Sequence, residues 1–514
     1  MDRIQEVDQE VLKVFMTSQT LREARKYEEV SRKVIREEER PAFHLSCCTG
    51  WMNDPNGFSY YNHKYHMFYQ YHPYDSTWGP MHWGHAVSGD LLHWEFLPAA
   101  LAPDEPYDRD GCFSGSAVEL PDGRQLLMYT GVTRERTPEG DLCELQTQCL
   151  AVGDGLDYEK YGQNPVLDRT DLPEGASVHD FRDPKIFQVK DGTYRCVTGS
   201  RPADGSGQVL LFGSEDGFRW SFRKILAENH SRFGKMWECP DFFELDGKQV
   251  LLVSPQDMLP KGFEYHNGNG TLCLIGSYDE ETDVFTEEAD QSIDYGIDFY
   301  APQTILTPDG RRVMIGWMQN WDTCAVSGPT SRELPWFGQM SLPRELFIKN
   351  GRLFQKPVRE LEDMRGSRVS HEKVTFSDVI RLPGVEGRQI DMEIELEAGD
   401  AERIYQKFAV RFAQNEQYHT AVSFRPRESV LKIDRKFSGS RRAVIHQRRC
   451  LVRSEEGKLR LRLILDRFSV EVFINDGEQV MSATIYTDQA ADGISFFADG
   501  SVTMNVVKYD LKSR

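Results

Sequence analysis

Residues 183–199 read DPKIFQVKDGTYRCVTG. Two β-prone runs flank Lys190-Asp191-Gly192, and an Asp-Gly pair between such runs predicts a tight hairpin turn. A carboxylate stands beside a proline at the head of the first run. The plan recurs in Gly57-Phe58 with His66-Met67-Phe68-Tyr69, and in Pro240-Asp241-Phe242-Phe243-Glu244-Leu245 with Val250-Leu251-Leu252. Each unit places a polar or charged residue beside proline, then a strand, a turn and a second strand. Repetition of one supersecondary unit is what a β-propeller requires, although the period here is irregular.

The same texture extends from Phe43 to about Leu346. Short runs such as KYHMFYQY, RQLLMYTGV, QVLLFGS, QVLLVSP, TLCLIGSYD and RRVMIGWM alternate with turn residues, including Pro308-Asp309-Gly310. Long helical periodicity is absent, so this is an all-β sandwich, barrel or propeller. From about residue 368 a second β region begins. Strict alternation in Ser469-Val470-Glu471-Val472-Phe473-Ile474 predicts half-buried antiparallel strands of a separate β-sandwich. Ahead of both, Ile4, Val7, Val11 and Val14 recur at helical steps. Thr17 or Ser18 is placed to cap a second helix carrying Leu21, Ala24 and Tyr27, followed by Val34 and Ile35. The expected division is a helical extension over 1–40, a propeller over 41–346, a connector over 347–367 and a sandwich over 368–514.

The net charge is −20. A chain this acidic repels nucleic acid and anionic lipid. From residue 365 onward there are 25 Lys and Arg against 22 Asp and Glu, about +3, so the rest carries −23. That split suits two domains with different surfaces. No stretch approaches 18 uninterrupted apolar residues, which argues against a membrane span. The N-terminal apolar run is broken by Lys13 and no small-residue cleavage site follows, so no signal peptide is expected. The ten cysteines form no CxxC pair and are expected as reduced thiols of a cytoplasmic protein. Aromatic residues reach 11%, which suits either sugar stacking or a β-rich core.

Three acidic clusters carry the chemistry. Trp51-Met52-Asn53-Asp54-Pro55-Asn56-Gly57 is a tight-turn sequence that places Asp54 at a strand end, and alone it reads as a plain turn. In His179-Asp180-Phe181-Arg182-Asp183-Pro184, an arginine beside a carboxylate keeps that carboxylate ionised, or forms a surface ion pair. In Met236-Trp237-Glu238-Cys239-Pro240-Asp241, apolar neighbours are expected to raise the pKa of Glu238, as a general acid near neutral pH requires. A satisfied, partly buried Glu is the plainer reading. Glycoside hydrolysis needs two facing carboxyl groups, and equivalent positions of propeller blades converge on one axis. Together the three clusters therefore point to a glycosidase pocket built from Asp54, Asp183 and Glu238.

WMNDPNG (51–57), FYQYHP (68–73), WGHAVSGDLLHW (83–94), FSGSAV (113–118), FRDPK (181–185), WECPD (237–241), DFYAPQ (298–303) and LPREL (342–346) occur in the order found in glycoside hydrolase family 32, which the chain resembles over 41–514. The family comprises invertases, sucrose-6-phosphate hydrolases and fructanases. The resemblance implies a five-bladed propeller followed by a β-sandwich. It implies a retaining β-fructofuranosidase with Asp54 as nucleophile, Glu238 as acid/base and Asp183 as transition-state stabiliser. Asn53, Gln70, Trp78, Phe113, Ser114 and Arg182 would hold the fructosyl ring. Tyr300 would lie near the acid/base, and Trp317 near the sugar. His72 stands where Asn is usual.

No metal or organic cofactor is implied, and the His spacing offers no ligand set. The expected partner is a small sugar: sucrose, sucrose 6-phosphate or a short fructo-oligosaccharide. Fructan exo-hydrolysis or fructosyl transfer is the alternative within the family, and a non-catalytic carbohydrate-binding protein is the alternative outside it. Arg201, Lys235 and Lys261 lie near the motif loops as phosphate contacts or ordinary solvated charges. In the sandwich, Arg435, Lys436, Arg441, Arg442, Arg448 and Arg449 read as a solvated strand face or as a subunit contact with the acidic propeller. A homo-oligomer would use the sandwich or the N-terminal helices.

Overall fold

Asp191 and Gly192 do turn the chain: Gly192 adopts φ 87°, and Phe181–Gln188 pairs antiparallel with Tyr194–Ser200. The computed structural model describes residues 17–136, 140–324, 335–400, 402–439 and 445–512. The expected helix through Ile4, Val7, Val11 and Val14 lies outside the described residues, as do Arg441 and Arg442.

The hairpin plan repeats in five antiparallel sheets, the blades of a propeller. Their innermost strands are Gly50–Tyr61, Gly111–Glu119, Phe181–Gln188, Trp237–Leu245 and Tyr300–Leu306. These five pack on one another around the axis and are buried along most of their length. Outer strands such as Val284–Ser292 alternate exposed and covered positions, as a one-sided strand does. Trp336–Phe337 pairs parallel with Gly50–Tyr61, tying the fifth blade's segment to the first.

In every blade the ladder between the first two strands skips at the same level. The skips fall between Met52 and Pro55, Phe113 and Gly115, Arg182 and Lys185, Glu238 and Asp241, and Tyr300 and Gln303. A proline sits at or beside four of them: Pro55, Pro184, Pro240 and Pro302. Proline has no N–H to give to a ladder, so within a sheet it belongs at a bulge. Asp183, Cys239 and Ala301, each just before its proline, adopt φ 65°, 48° and 51°. The second blade has Gly115 instead, where a Cβ would stand 2.0 Å from the Met128 carbonyl oxygen. A bulge bends its strand and re-aims a side chain. The four proline bulges and the bulge at Gly115 therefore form a ring of five at one end of the axis.

The sandwich forms one continuous set of strands folded over. The long strand Gly493–Leu511 links its halves, pairing through its start with Lys407–Gln414 and through its remainder with Ile390–Ala398. Its apolar faces enclose one core, including Ile394, Phe408, Leu463 and Phe496. A second core joins the domains: Met52 and Tyr69 of the first blade and Ile315 of the fifth share it with Ile464, Phe473 and Val480 of the sandwich.

Residues 347–367 are not a connector. Arg344–Lys349 and Arg352–Pro357 form a hairpin in the fifth blade through Asn350 and Gly351, at φ 53° and 73°. A 3₁₀ segment, Arg359–Met364, follows, and the sandwich strand Arg365–Ile380 starts directly after it. Asn-Gly between β-prone runs is the strongest short hairpin signal, and the many charged residues around it obscured it. The N-terminal helix spans Gln19–Ser31 and is capped by Ser18, which accepts from the Leu21 N–H at 3.1 Å. Leu21 and Ala24 are buried as expected, whereas Tyr27 and Val34 are exposed. The third buried position is a carboxylate, Glu28, which accepts the Ala99 N–H. Among the described residues, no helix is long and apolar enough to cross a membrane.

Candidate active site

The bulges bring the start of each inner strand to one place. Asp54 comes from the first blade, Ser114 from the second, Arg182 and Asp183 from the third, Glu238 and Cys239 from the fourth, and Tyr300 from the fifth. Ser114 Oγ donates to Asp54 Oδ2 at 2.8 Å, Asn53 Nδ2 donates to Asp54 Oδ1 at 3.2 Å, and the Cys239 thiol lies 3.4 Å from Asp54 Oδ2. Trp51 Nε1 donates to Asn53 Oδ1 at 2.8 Å and so fixes the amide that faces Asp54. Asp183 Oδ2 accepts the Cys239 N–H at 3.0 Å, while its own N–H donates to Thr130 Oγ1 at 3.0 Å.

Glu238 meets different company from that expected. Arg182 donates to Glu238 Oε1 through Nε at 3.2 Å and Nη2 at 3.1 Å. The Tyr300 hydroxyl lies 2.6 Å from Glu238 Oε2 and 2.9 Å from the Ser254 carbonyl oxygen. The apolar neighbours in sequence do not shield this carboxyl. Trp237 is buried in a cluster with Val197, Val209 and Leu251, and the Cys239 thiol turns to Asp54. Burial raises Asp54 and Asp183. Asp54 is pushed up to about 6, first by burial and then by the charge on Glu238, against hydrogen bonds from Ser114, Asn53 and Cys239. Asp183 is raised to about 7, chiefly by burial; Arg182 opposes that rise and the charges of Glu238 and Asp54 add to it. Burial disfavours the Arg182 cation, yet the charges of Glu238, Asp183 and Asp180 hold it firmly protonated.

The remaining expected residues divide into wall, rim and support. Gln70 is buried and donates to the Cys112 carbonyl at 2.9 Å. Trp78 is 40% exposed and meets Phe113 edge-on at 6.2 Å, as a sugar platform on a rim would. Trp317 is fully buried, packed 6.0 Å from Trp51, while Trp321 is the partly exposed tryptophan of that cluster. Motif reading gave no role to Trp321, Cys239, Thr130 or Asp180; contacts between blades mark the first three, and a bond to Arg182 in its own blade marks Asp180. His72 sits outside the carboxylate cluster, with Nδ1 2.9 Å from the Thr77 carbonyl oxygen. Lys185 and Asp241, both motif residues, pair with each other at 3.2 Å between the third and fourth blades. Among the described residues, no group of three or more His, Cys, Asp or Glu is placed to hold a metal ion.

Of the phosphate candidates, Arg201 pairs with Asp180 at 3.3 Å and Lys235 with Asp257 at 3.1 Å, and Lys261 lies 5.9 Å from the Phe233 ring centroid. Arg435 is not solvated: it is buried against Asp298 of the propeller. Arg448 also crosses between the domains, donating to Asn267 Oδ1 at 3.0 Å.

Residues 44–357 match the model of the glycosyl hydrolases family 32 N-terminal domain, and 360–513 match that of the family 32 C-terminal domain. The chain belongs to glycoside hydrolase family 32. It is 38% identical to a sucrose-6-phosphate hydrolase of Escherichia coli over 475 residues, 90% of this chain and 93% of the relative. It is also 38% identical to a raffinose invertase of Escherichia coli over 478 residues, covering 90% and 94%. Among solved structures, the β-fructofuranosidase of Bombyx mori, in a variant form complexed with sucrose, superposes with a TM-score of 0.79 at 37% identity, covering 96% of this chain and 98% of that one. The family 32 member described here is thus a glycoside hydrolase whose propeller and sandwich correspond to the two family domains.

Proposed function

We propose that this enzyme removes terminal β-fructofuranosyl residues from sucrose or sucrose 6-phosphate by a double displacement at the anomeric carbon. The observation that carries the reading is the convergence of Asp54, Asp183 and Glu238 from three blades into one hydrogen-bonded cluster around Arg182. In the first step Asp54 attacks the anomeric carbon while Glu238 gives its proton to the leaving oxygen, which departs as an alcohol. Three carboxyl groups beside one guanidinium leave the pocket rich in negative charge. The fructosyl ring becomes positive as the bond breaks, so this preorganised field favours the transition state over the neutral sugar. Asp183 lies nearest that role. In the second step Glu238 takes a proton from water, which attacks the fructosyl ester and releases Asp54 with the anomeric configuration retained.

Tyr300 fits both forms of Glu238. Its single proton goes to Glu238 when that group is ionised. When Glu238 is protonated it donates to the phenol oxygen, and Tyr300 then donates to Ser254. Asn53, Gln70, Trp78, Phe113 and Ser114 form the proposed ring-binding wall, and Trp317 supports it from behind. All ten cysteines are free, which supports a reducing, cytosolic compartment.

The test is kcat/KM on sucrose, sucrose 6-phosphate, raffinose and inulin, with the first-formed fructose observed by NMR. The expected outcome is β-fructofuranose as first product and a preference for the short sucrose-type substrates. An α first product would exclude double displacement, and a preference for inulin would move the enzyme to the fructan hydrolases.

A further inference from the structure

Arg182 uses both edges of its guanidinium. One edge, Nε and Nη2, faces Glu238 Oε1. The other, Nη1, donates to Asp180 Oδ1 at 2.9 Å and to Gln146 Oε1 at 3.3 Å. Asp180 does not stop there: its second oxygen, Oδ2, lies 3.3 Å from Nη1 of Arg201 at the rim. Exposure rises outward from Arg182. The side chains of Glu238, Arg182, Asp180 and Arg201 are 13%, 10%, 19% and 34% exposed. Arg201 is anchored in turn through its carbonyl, which accepts the Ser177 N–H at 2.8 Å, and Ser177 Oγ accepts the Asp180 N–H at 3.2 Å. Asp180, Arg182 and Arg201 of the third blade, with Glu238 of the fourth, therefore form a four-member chain of alternating charge that runs from the proposed acid/base to the rim.

From this arrangement we infer that Asp180 is a positioning residue for the acid/base step, setting how firmly Arg182 grips Glu238. The inference rests on the assignment of Glu238 as acid/base. A guanidinium shared between two carboxylates gives each a weaker hold than a guanidinium devoted to one. The acid/base must carry a proton at one stage and lose it at the next. An Arg182 bound to Glu238 alone would favour the ionised form throughout. Asp180 draws off part of that charge and keeps Nη1 turned away, so that the Nε and Nη2 edge alone faces Glu238. The charged and titratable groups facing Arg182 and Glu238 are Asp180, Asp183, Asp54, Tyr300, the Cys239 thiol and, beyond Asp180, Arg201. Asp180 is the one among them that touches Arg182 and not Glu238, Asp183 or Asp54 in the bonds of the site. That makes it a means of adjusting Glu238 through Arg182 alone.

The two outer members of the chain should act with opposite sign. Asp180→Asn removes a negative charge and frees Arg182 for Glu238, so the alkaline limb of the kcat/KM profile should move to lower pH, by roughly half a pH unit to one unit. On that limb kcat/KM for sucrose should fall about three- to tenfold, while an activated aryl fructoside, which needs little proton donation, should lose under about twofold. Arg201→Gln leaves Asp180 less neutralised, so the limb should move to higher pH by a few tenths of a unit. Asp180→Glu should restore part of the wild-type profile. Glu238→Gln is the reference: its losses must be larger for sucrose than for the aryl fructoside, or the assignment of Glu238 itself fails. With that reference in place, an unmoved alkaline limb in Asp180→Asn, or equal losses on both substrates, overturns the role of Asp180. If Asp180→Asn does not fold, the half-exposed Arg201→Gln decides. A shift to higher pH supports the chain of charge, and no shift or a downward shift overturns it.

Discussion

Two buried ionic networks in this molecule use nearly the same parts and come out opposite. In the active site, Asp54, Asp183 and Glu238 gather around one buried cation, Arg182. Where the propeller meets the sandwich, Asp294, Asp466 and Glu471 gather around two, Arg344 and His44. Arg344 donates through Nε to Glu471 Oε2 at 2.9 Å and through Nη1 to Asp294 Oδ2 at 3.0 Å. His44 lies 2.8 Å from Asp466 and 3.1 Å from Glu471, and this pairing raises its pKa to about 9 although burial opposes the charge. Asp466 also accepts the N–H groups of Ala42, Phe43 and His44. Burial would raise Asp466 and Glu471, but their cations and N–H donors pull both below the usual carboxylate range. Asp294, which shares its guanidinium with Glu471, stays raised. Burial is common to both networks; the cations and N–H donors that reach Asp466 and Glu471 outweigh it, whereas those that reach Asp54, Asp183 and Asp294 do not. The interface network is satisfied and stabilises the fold, whereas the active site is left short of positive charge.

That contrast can be broken most forcefully at Asp54. Asp54→Asn should cost several powers of ten in kcat, at least about a thousandfold, because an amide cannot form the fructosyl ester. The protein should melt no lower than wild type at pH 7.5, since the change relieves an ill-compensated charge. Near-normal kcat, or a large loss of melting temperature, would contradict the comparison.

At the interface the outcome reverses. Glu471→Gln leaves Arg344 and His44 buried with too little negative charge and should cost roughly 3–5 kcal/mol of stability, read as a lower urea midpoint. Turnover per folded molecule should change little. A midpoint within error of wild type would mean that the network is not stabilising.

The smallest effect is the sharpest in sign. A carboxylate raised in the folded state contributes stability that is present below its unfolded pKa, near 4, and lost as pH rises through its folded value. For Asp183 that value is about 7. Asp183→Asn should therefore stabilise the protein by on the order of 1–2 kcal/mol at pH 8 and by nothing at pH 4.5. His44, raised to about 9, contributes stability that is complete below about pH 6.5 and lost as pH rises through 9, so His44→Gln should cost more at pH 6.5 than at pH 9.5. The acid limb of kcat/KM should fall near pH 6, where Asp54 takes up its proton. Both variants should gain stability relative to wild type as pH rises, because both groups hold their proton more tightly when folded; the networks differ in sign, so a destabilising Asp183→Asn at pH 8 or a stabilising His44→Gln at pH 6.5 would remove the distinction.

The sequence by itself determined what depends on neighbours along the chain. The propeller repeat was legible because a proline beside a polar residue at a strand start forces a bulge wherever it occurs. The three carboxylates were legible because they sit at those bulges. The hairpin at Asn350-Gly351 was equally local and was lost only beneath the charges flanking it. What tertiary structure decided is the company each ionisable group keeps. Trp237 and Cys239 adjoin Glu238 in the chain, but ring closure gives its carboxyl to Arg182, 56 residues away, and to Tyr300, 62 away. Arg435 read as one of a row of surface cations, and docking of the sandwich buried it on Asp298. Glu28, on the N-terminal helix, is covered by the first blade and accepts its Ala99 N–H. Backbone geometry is set within a few residues, so pattern reveals it. The charge state of a buried group depends on dielectric and on partners within a few ångströms, and in this fold those partners arrive from other blades and from the other domain.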